Sequence, residues 1–573
     1  MPGAARCESS RSRRESFRKA GSAREMWSNS AMEIRQLTGA EAIVQGLLAH
    51  NIDTVFALPG VQTYGLIDAL AQSRDRIRTI GARHEQACAY MAFGYARASG
   101  RPGVFTVVPG PGILNASAAL LTAHSSNVRV LALTGDMPSQ EKGRERRTLH
   151  ELPGQLDILR AITKWAAHIE HPTQAALLVA RAFQEMSSGR QGATALQAAW
   201  DYFTSTANVG SAVTLPPLPQ PEIDLDAIDA AARLIAASRA PMLFVGSGAL
   251  NASAELTELA QTIGAPAVTF RGGKGVVSSD HPLGLSMAAG QRLWPQTDVA
   301  IVIGTRFELL DMRWRYRPPG LKIVRIDIDP GEMRRLHADI GIVGDAAAGA
   351  SALTRALRRV GTPKRRDDLI ATAKADAAVA IRAIQPQMDY LDVIREVLPR
   401  NGFFVDEISQ MGFTAMFGFP VYEPRTFVTS GHQGTLGYGF PTALGVKVAF
   451  PDRPVVSVTG DGGFMFAVQE LATAVQYGIN LVTVVFNNES YGNVFRDQQQ
   501  QFGGRLLGSE LVNPNFVTLA ESFGVSAASV SSPRELRPAL ERAFAADRPV
   551  LIEVRVPRGA ESDPWPFIHP AFG

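Results

Sequence analysis

"TGDGGFMFAVQELATAVQYGINLVTVVFNNES", Thr459 to Ser490, decides how its neighbourhood folds. RPVVSVTG before it and NLVTVVFNN at its end are β-branched apolar runs, and FMFAVQELATAVQYG between them has helical spacing closed by Gly478. The segment therefore predicts strand, helix and parallel strand. In open parallel sheets ligands bind beyond the carboxyl ends of the strands, so Asp461 and Asn488, 27 positions apart, are expected as neighbours on one edge. One carboxylate and one carboxamide oxygen are hard donors suited to Mg²⁺, with positions left over for phosphate oxygens and water. Gly462 and Gly463 let a phosphate approach the backbone N–H groups at the start of the helix. A metal-bridged diphosphate is expected, against the plainer reading of a strand-end Asp that caps the next helix.

The same alternation of short β-branched runs and amphipathic helices continues in both directions, which predicts parallel sheets covered on both faces. With 573 residues and 46% apolar content the chain has material for about three or four domains. Ser205 to Asp226, with four prolines among small polar residues, reads as a linker. The charged helical stretch Gly361 to Ala378 leads into a fresh alternation near Met388. The expected fold is α/β, with three doubly wound, mainly parallel domains at about 33–204, 222–360 and 385–560 and a C-terminal arm at 561–573. The outer two echo each other: a glycine cluster, a helix and a strand end at Thr134-Gly135-Asp136 in one and at Thr459-Gly460-Asp461 in the other. That suggests two copies of one architecture, although two unrelated α/β domains with similar turns read the same way.

Lys plus Arg (57) nearly balance Asp plus Glu (54), and no basic stripe runs through the body of the chain, so a small ligand is expected rather than nucleic acid. The two cysteines, Cys7 and Cys88, are far apart, which argues against a disulfide framework or CxxC metal site and fits a reducing cytoplasm. No apolar run approaches the roughly 20 residues that cross a bilayer, so no membrane is expected. Residues 1–32 are Arg- and Ser-rich but carry Glu8, Glu15 and Glu25. They read as a disordered tail, or as sequence upstream of a start at Met26 or Met32, rather than as a transit peptide.

The GDG triplet followed by NN at this spacing resembles the diphosphate motif of the thiamine-diphosphate-dependent enzymes, and the resemblance runs over nearly all of Met32 to Phe572. It implies pyrimidine-binding, central and diphosphate-binding domains in that order, the outer two sharing the thiamine-diphosphate-binding fold. It also implies thiamine diphosphate against Gly460, Asp461, Gly462, Gly463, Asn488 and Tyr491, with Mg²⁺ on Asp461, Asn488 and the backbone carbonyl of Ser490. Thiamine chemistry further needs a carboxyl group that hydrogen-bonds the pyrimidine ring and favours its imino tautomer. In IRTIGARHEQACAYMAFGYARASG, Glu85 opens a helix otherwise filled with small and apolar residues, where desolvation helps an acid share a proton. Alone, it also reads as an N-terminal acid favoured by the helix dipole. RHEQACAYMAFGYAR is similar to the family segment whose Glu performs this activation, which makes Glu85 the expected catalytic residue. In the family the pyrimidine domain of one subunit faces the diphosphate domain of another, so a homodimer or homotetramer is implied.

SGHQGTLGYGFPTALG, Ser430 to Gly445, resembles the stretch whose bulky residue wedges beneath the bent cofactor, here Leu436, with His432 and Gln433 close by. VDEISQ makes Gln410 a candidate diphosphate contact, and VVPGPGILN is similar to the loop bordering the pyrimidine and substrate pocket. Each also reads as ordinary turn sequence. FVGSGAL, GVVSSDHPLG, VIGTRFE, IVRIDIDPGEMRR and ITKW together resemble acetolactate synthases. The first expectation is therefore decarboxylation of a 2-oxo acid, pyruvate foremost, with transfer of the carbanion to a carbonyl acceptor. The chain departs from the synthases at Asn493-Val494 and Asp497, where they carry Met-Val and then Trp, and at His150-Glu151, where they carry Gln-Glu. Gln62 in LPGVQTYG, His150 and Val494 are candidate substrate contacts.

The alternative within thiamine chemistry is a decarboxylase or carbon-carbon lyase on an aryl, acyl-CoA or cyclic dione substrate, with a 2-hydroxy ketone as a further substrate type. The adjacent His-His pair of pyruvate decarboxylases is absent. Outside that chemistry stand a non-catalytic cofactor-binding protein and a Rossmann-type redox protein, for which GSGALN lacks the third glycine of the fingerprint. The synthases' central domain also holds FAD. RGGKG, Arg271 to Gly275, either faces a dinucleotide or forms a plain loop, and FAD is left open.

Overall fold

The computed structural model describes residues 34–572, with the backbone alone at residue 311; the tail read at 1–32 lies outside the described residues. Three six-stranded parallel sheets follow one another along the chain. In the first, strands numbered along the chain lie in the order 2-1-3-4-6-5: Arg78–Gly81, Thr54–Ala57, Gly103–Val107, Val130–Asp136, Thr194–Ala199, Trp165–Ile169. The third repeats that order with Phe427–Val428, Phe403–Val405, Val455–Gly460, Val482–Asn487, Val550–Arg555 and Ser526–Val530. The central sheet is ordered 3-2-1-4-5-6: Gly284–Leu285, Ala267–Thr269, Pro241–Val245, Val299–Ile303, Lys322–Asp327, Ile340–Val343. That is the order of dinucleotide-binding sheets. Runs such as VAIVI at Val299–Ile303 are buried at every residue, as strands covered on both faces must be.

The expected three α/β units with a shared outer fold are present, but the tripeptide echo is out of step. Thr134-Gly135-Asp136 ends the fourth strand of its sheet, whereas Thr459-Gly460-Asp461 ends the third. Two other readings are corrected. Strand Thr206–Gly210 lies inside the stretch read as linker and pairs antiparallel with Ile34–Thr38, so the first unit runs on to Gly210 before the prolines begin. The helix expected over FMFAVQELATAVQYG is two pieces, Asp461–Phe464 and Glu470–Tyr477, the second closed by Gly478 at φ 59°. The buried Glu470 carboxylate at the second start accepts the Arg83 N–H of the first unit (3.1 Å) and the Thr473 hydroxyl (2.6 Å), so the break serves a contact between units.

The outer units pack through equivalent helices, Glu85–Ser99 and Gly439–Ala449, each following the second strand of its sheet. Their backbones touch: a Cβ at Gly94 would stand 2.9 Å from the Thr442 carbonyl carbon, and one at Gly445 2.6 Å from that of Met91. The central unit is tied to the third. Lys274 Nζ, fully buried, donates to the carbonyls of Ala415 (2.9 Å) and Met416 (3.0 Å), and Ser279 exchanges two bonds with Val421. Among the described residues no helix is long and apolar enough to cross a membrane.

Candidate active site

The carboxyl edge of the third sheet gathers Asp461 from the end of its third strand and Asn487-Asn488 from the end of its adjacent fourth. Asp461 is buried. Its carboxylate accepts from Gly462 N (2.9 Å) and Asn513 Nδ2 (2.6 Å), and Asn513 also donates to Asn487 Oδ1 (2.9 Å). Burial pushes the Asp461 carboxyl above the usual range, opposed by hydrogen bonds from Gly462, Asn513 and Glu489 rather than by a cationic side chain. A second acid lies near: Glu561 accepts from Asn488 Nδ2 (2.8 Å), and its carboxyl is also raised by burial, with Asp461 adding to the rise. Asn488 Oδ1 accepts from the Ser490 N–H (3.1 Å) and hydroxyl (2.9 Å). The Asp461 carboxylate, without a cationic side chain among the described residues, and the Asn488 carboxamide oxygen form a donor pair that a hard cation satisfies. No cluster of three or more His, Cys, Asp or Glu able to hold a metal occurs among the described residues, and a site completed by phosphate needs none.

The glycine pair forms the cradle beside this set. A Cβ at Gly462 would stand 2.5 Å from Tyr491 Cε1, and one at Gly463 3.0 Å from Glu407 Cγ. Tyr491 and Glu407 therefore wall the turn where a phosphate would meet backbone N–H groups, and only glycine fits between them. Glu407 is fully buried, and burial pushes its carboxyl up to about 7 although the N–H groups of Gly439, Ile408 and Gly437 stabilise its anion. Gln410 opens helix Gln410–Gly418 and accepts from Arg496 (2.8 Å). Arg496 also donates to Asn493 Oδ1 (2.6 Å), which takes a second bond from Trp565 Nε1 (3.0 Å). Val494, on helix Gly492–Gln501 with Asn493 and Arg496, is exposed, as are Met465, Phe466, Phe502, Leu507 and Val512 around this edge.

The first sheet presents its own carboxyl edge. Glu85 begins helix Glu85–Ser99 behind His84, whose Nδ1 accepts from Gln86 N (3.1 Å). The helix beyond it is buried, but Glu85 is half-buried and its own neighbours are polar or small. Asn115 donates to its carboxylate (3.0 Å), and Gly112 lies against it. Gln62 and His150 are brought together: His150 Nδ1 meets Gln62 Oε1 at 2.8 Å, and Gln62 Nε2 donates to the Leu149 carbonyl (3.0 Å). The loop Pro109 to Gly112 runs between this pair and Glu85, since a Cβ at Gly110 would meet the His150 backbone. Tyr64, Leu114 and Leu149 are exposed on this edge.

Not all candidates fall at the diphosphate cradle. Leu436 is half-buried, next to Thr435, which approaches Thr122 of the first unit at 3.5 Å, and Gln433 is exposed. His432 lies instead at a cavity of about 420 Å³ bounded by all three units. Its Nδ1 meets Glu308 at 3.2 Å, and burial with Arg271, Arg306 and Arg313 nearby pushes it down to about 4 against the pull of Glu308. RGGKG divides there: Arg271 and Gly272 line the cavity, whereas Lys274 is the buried tie to the third unit. The cavity opens where the central sheet changes direction, between strands Pro241–Val245 and Val299–Ile303. There the loop at Gly248 bonds the Gly304 carbonyl (2.9 Å). Arg97, Arg129, Arg190, Arg271, Arg306 and Arg425 all reach its walls. Arg97 is fully buried and pushed down to about 9, first by burial and then by Arg425.

Asn513, Glu561, Arg496, Asn115 and Trp565 are the site residues that sequence reading missed. Asn513 comes from a loop and Glu561 and Trp565 from the C-terminal segment, whereas Arg496 lies on helix Gly492–Gln501 and Asn115, at the end of VVPGPGILN, on helix Pro111–Ser125.

Comparison with known proteins agrees with this architecture. Models described as thiamine pyrophosphate enzyme N-terminal TPP binding domain, central domain and C-terminal TPP binding domain match residues 37–161, 228–353 and 407–554. The chain is 34% identical over 552 residues to a probable acetolactate synthase large subunit of Methanocaldococcus jannaschii, covering 90% of this chain and 92% of that one. It is 32% identical to the probable 2-ketoarginine decarboxylase AruI of Pseudomonas aeruginosa, over 91% of this chain and 94% of that one. It is 29% identical to the acetolactate synthase isozyme 1 large subunit of Escherichia coli, over 94% and 96%. Three parallel-sheet units, a glycine cradle beside an acid and a carboxamide, and these matches place the chain among the thiamine pyrophosphate enzymes, in their acetolactate synthase-like group.

Proposed function

We propose that the protein is a Mg²⁺-dependent enzyme that decarboxylates a 2-oxo acid, pyruvate foremost, and transfers the resulting carbanion to a carbonyl acceptor. The observation that carries this reading is the pairing of Asp461, buried and without a cationic partner among the described residues, with Asn488 at the adjoining strand end beside the Gly462-Gly463 turn. Asp461, Asn488 and the Ser490 carbonyl would hold the cation, and the N–H groups of the turn would hold the diphosphate. Bound thiamine diphosphate supplies the electron sink for cleaving the bond next to a carbonyl. Glu85 is the residue assigned to the pyrimidine ring, with Asn115 fixing the carboxylate. Gln62 and His150 form one hydrogen-bonded unit able to donate to a substrate carboxylate or carbonyl.

Two exposed apolar edges, one around Tyr64 and Leu114 and the other around Phe466 and Val494, support a homodimer or higher homo-oligomer in which a second copy closes each site. A cytoplasmic location is proposed on the low cysteine usage, with Cys88 buried and unpaired. The arginine-lined cavity at the turning point of a 3-2-1-4-5-6 sheet supports an adenine dinucleotide such as FAD as a second group, held by side chains rather than by a glycine-rich helix start, since Ser247–Ala249 is a single short turn.

A decarboxylase without carboligation is the second reading. It is favoured by the polar Asn493 and Asp497 where synthases carry Met and Trp, Asn493 accepting from Arg496 and Trp565, and by the similarity to a probable 2-ketoarginine decarboxylase. The test is to strip the protein with a chelator and restore thiamine diphosphate with Mg²⁺, then supply pyruvate and other 2-oxo acids. Acetolactate or another ligated product supports the first reading, and carbon dioxide with free aldehyde alone supports the second. No restoration with any 2-oxo acid overturns both. Glu85→Gln should keep cofactor binding and lose exchange of the thiazolium C2 proton; unchanged exchange would remove Glu85 from its role.

A further inference from the structure

One acidic side chain from the far end of the chain reaches the strand end that carries the expected metal ligands. Strand Val550–Arg555 runs beside Val482–Asn487 along its length, and Val556 N donates to the Asn487 carbonyl (2.9 Å). The chain then turns through Pro557 to Ala560 and brings Glu561 over the carboxyl edge, where its Oε1 accepts from Asn488 Nδ2 at 2.8 Å. A carboxylate only accepts, whereas a carboxamide has one donor end and one acceptor end, so this bond at the nitrogen and those from the Ser490 N–H (3.1 Å) and hydroxyl (2.9 Å) at the oxygen together dictate which end of Asn488 points which way. The segment is itself fixed. Ser562 N donates to Gln387 Oε1 (3.2 Å), Gln387 Nε2 donates to the Ser562 carbonyl (2.7 Å), and Gln385 N donates to Ser562 Oγ (3.2 Å). Gln387 is fully buried, so these bonds form an anchored joint rather than a surface contact.

We propose that Glu561 is a positioning residue for the cation: it takes the nitrogen end of the Asn488 carboxamide and so keeps the oxygen end, which Ser490 also meets, turned to the metal. The C-terminal segment, outside the GDG and NN signature, thereby sets metal affinity without supplying a ligand. The inference rests on the reading of Asn488 as a metal ligand. Groups that orient a ligand in this way change metal affinity by about 10–100-fold when removed.

The experiment uses full-length protein stripped of metal, with Mg²⁺ titrated against tryptophan fluorescence in excess thiamine diphosphate. Glu561→Ala should bind Mg²⁺ about 10–100-fold more weakly than wild type, with the thermal midpoint of the stripped protein unchanged. Glu561→Gln, whose amide oxygen can accept the same bond, should stay close to wild type, and Glu561→Asp, one methylene shorter, should fall with Ala. Unchanged affinity in both Glu561→Ala and Glu561→Asp overturns the proposal. So does Glu561→Gln as weak as Glu561→Ala, which would assign charge rather than orientation. Wild type that binds no Mg²⁺ would overturn the metal reading itself, a result separate from any difference among the variants.

Discussion

Gly94→Ala inserts a methyl group into the crossing of helices Glu85–Ser99 and Gly439–Ala449. The new Cβ would stand 2.9 Å from the Thr442 carbonyl carbon and 3.1 Å from its Cα, nearer still to the carbonyl oxygen. Carbon atoms rest about 3.5–4.0 Å apart, so the helices must separate by roughly 1 Å. Neighbouring Gly445 already lies against the Met91 backbone, so sliding toward that side gives no relief. Overpacking of this kind costs about 1–3 kcal/mol. In a unit of this size each kcal/mol lowers the melting midpoint by roughly 2–4 °C. Glu85 opens the displaced helix, and a misplacement of about 1 Å can reduce turnover about 100-fold. Calorimetry and product formation on the same preparation therefore test both links. The expected result is a midpoint lowered by about 5 °C and turnover reduced at least about tenfold, with cofactor affinity little changed. A midpoint within experimental error of wild type would refute the close crossing. A lowered midpoint with full turnover would refute the link from the crossing to Glu85.

Asp461→Asn preserves shape but removes the only ionised donor assigned to the cation, and equilibrium dialysis should find Mg²⁺-dependent retention of thiamine diphosphate lost; equal retention would sink the assignment. Glu407 gives a pH dependence: its folded carboxyl stands at about 7 against an ordinary 4.5, so its contribution is full below 4.5 and lost as pH rises through 7. The gap corresponds to about 3 kcal/mol. Melting of the metal-free protein from pH 5 to 8 should therefore fall more steeply than that of Glu407→Gln, and parallel curves would count against a buried carboxyl there. Gln62→Ala removes the side-chain partner of His150 and should raise KM for the 2-oxo acid more than it lowers kcat; an unchanged KM would mean that Gln62 serves shape alone.

The fold was legible because buried parallel strands are written as uninterrupted β-branched runs, and Val455–Gly460 and Val482–Asn487 each follow that pattern. The repeated architecture was inferred from a tripeptide that occupies non-equivalent strands; the true equivalence lies in strand order and in the two packed helices, which no short motif records. Asp461 and Asn488 could be found because one supersecondary unit fixes their separation. Glu561 and Asn513 could not, since each reaches the same edge through a loop whose path depends on tertiary packing. His432 was placed near the cofactor by family resemblance; in the structure it follows Gly431, with φ 65°, and lies at the central cavity with its Nδ1 3.2 Å from Glu308. Strand Thr206–Gly210 was hidden because, among the described residues, it pairs with Ile34–Thr38 alone, some 170 residues earlier, and its composition resembles the linker that follows.

The cavity ringed by arginines has walls from every unit: Arg97 and Arg129 from the first, Arg271 and Arg306 from the middle, Arg425 from the last. Mutual repulsion among these guanidinium groups works against the three bodies remaining docked, and an anion lodged among them would convert that repulsion into attraction. Since any species that binds only the assembled form adds to its stability by mass action, filling this one space would raise the unfolding temperature of the entire polypeptide together, rather than that of its middle third alone.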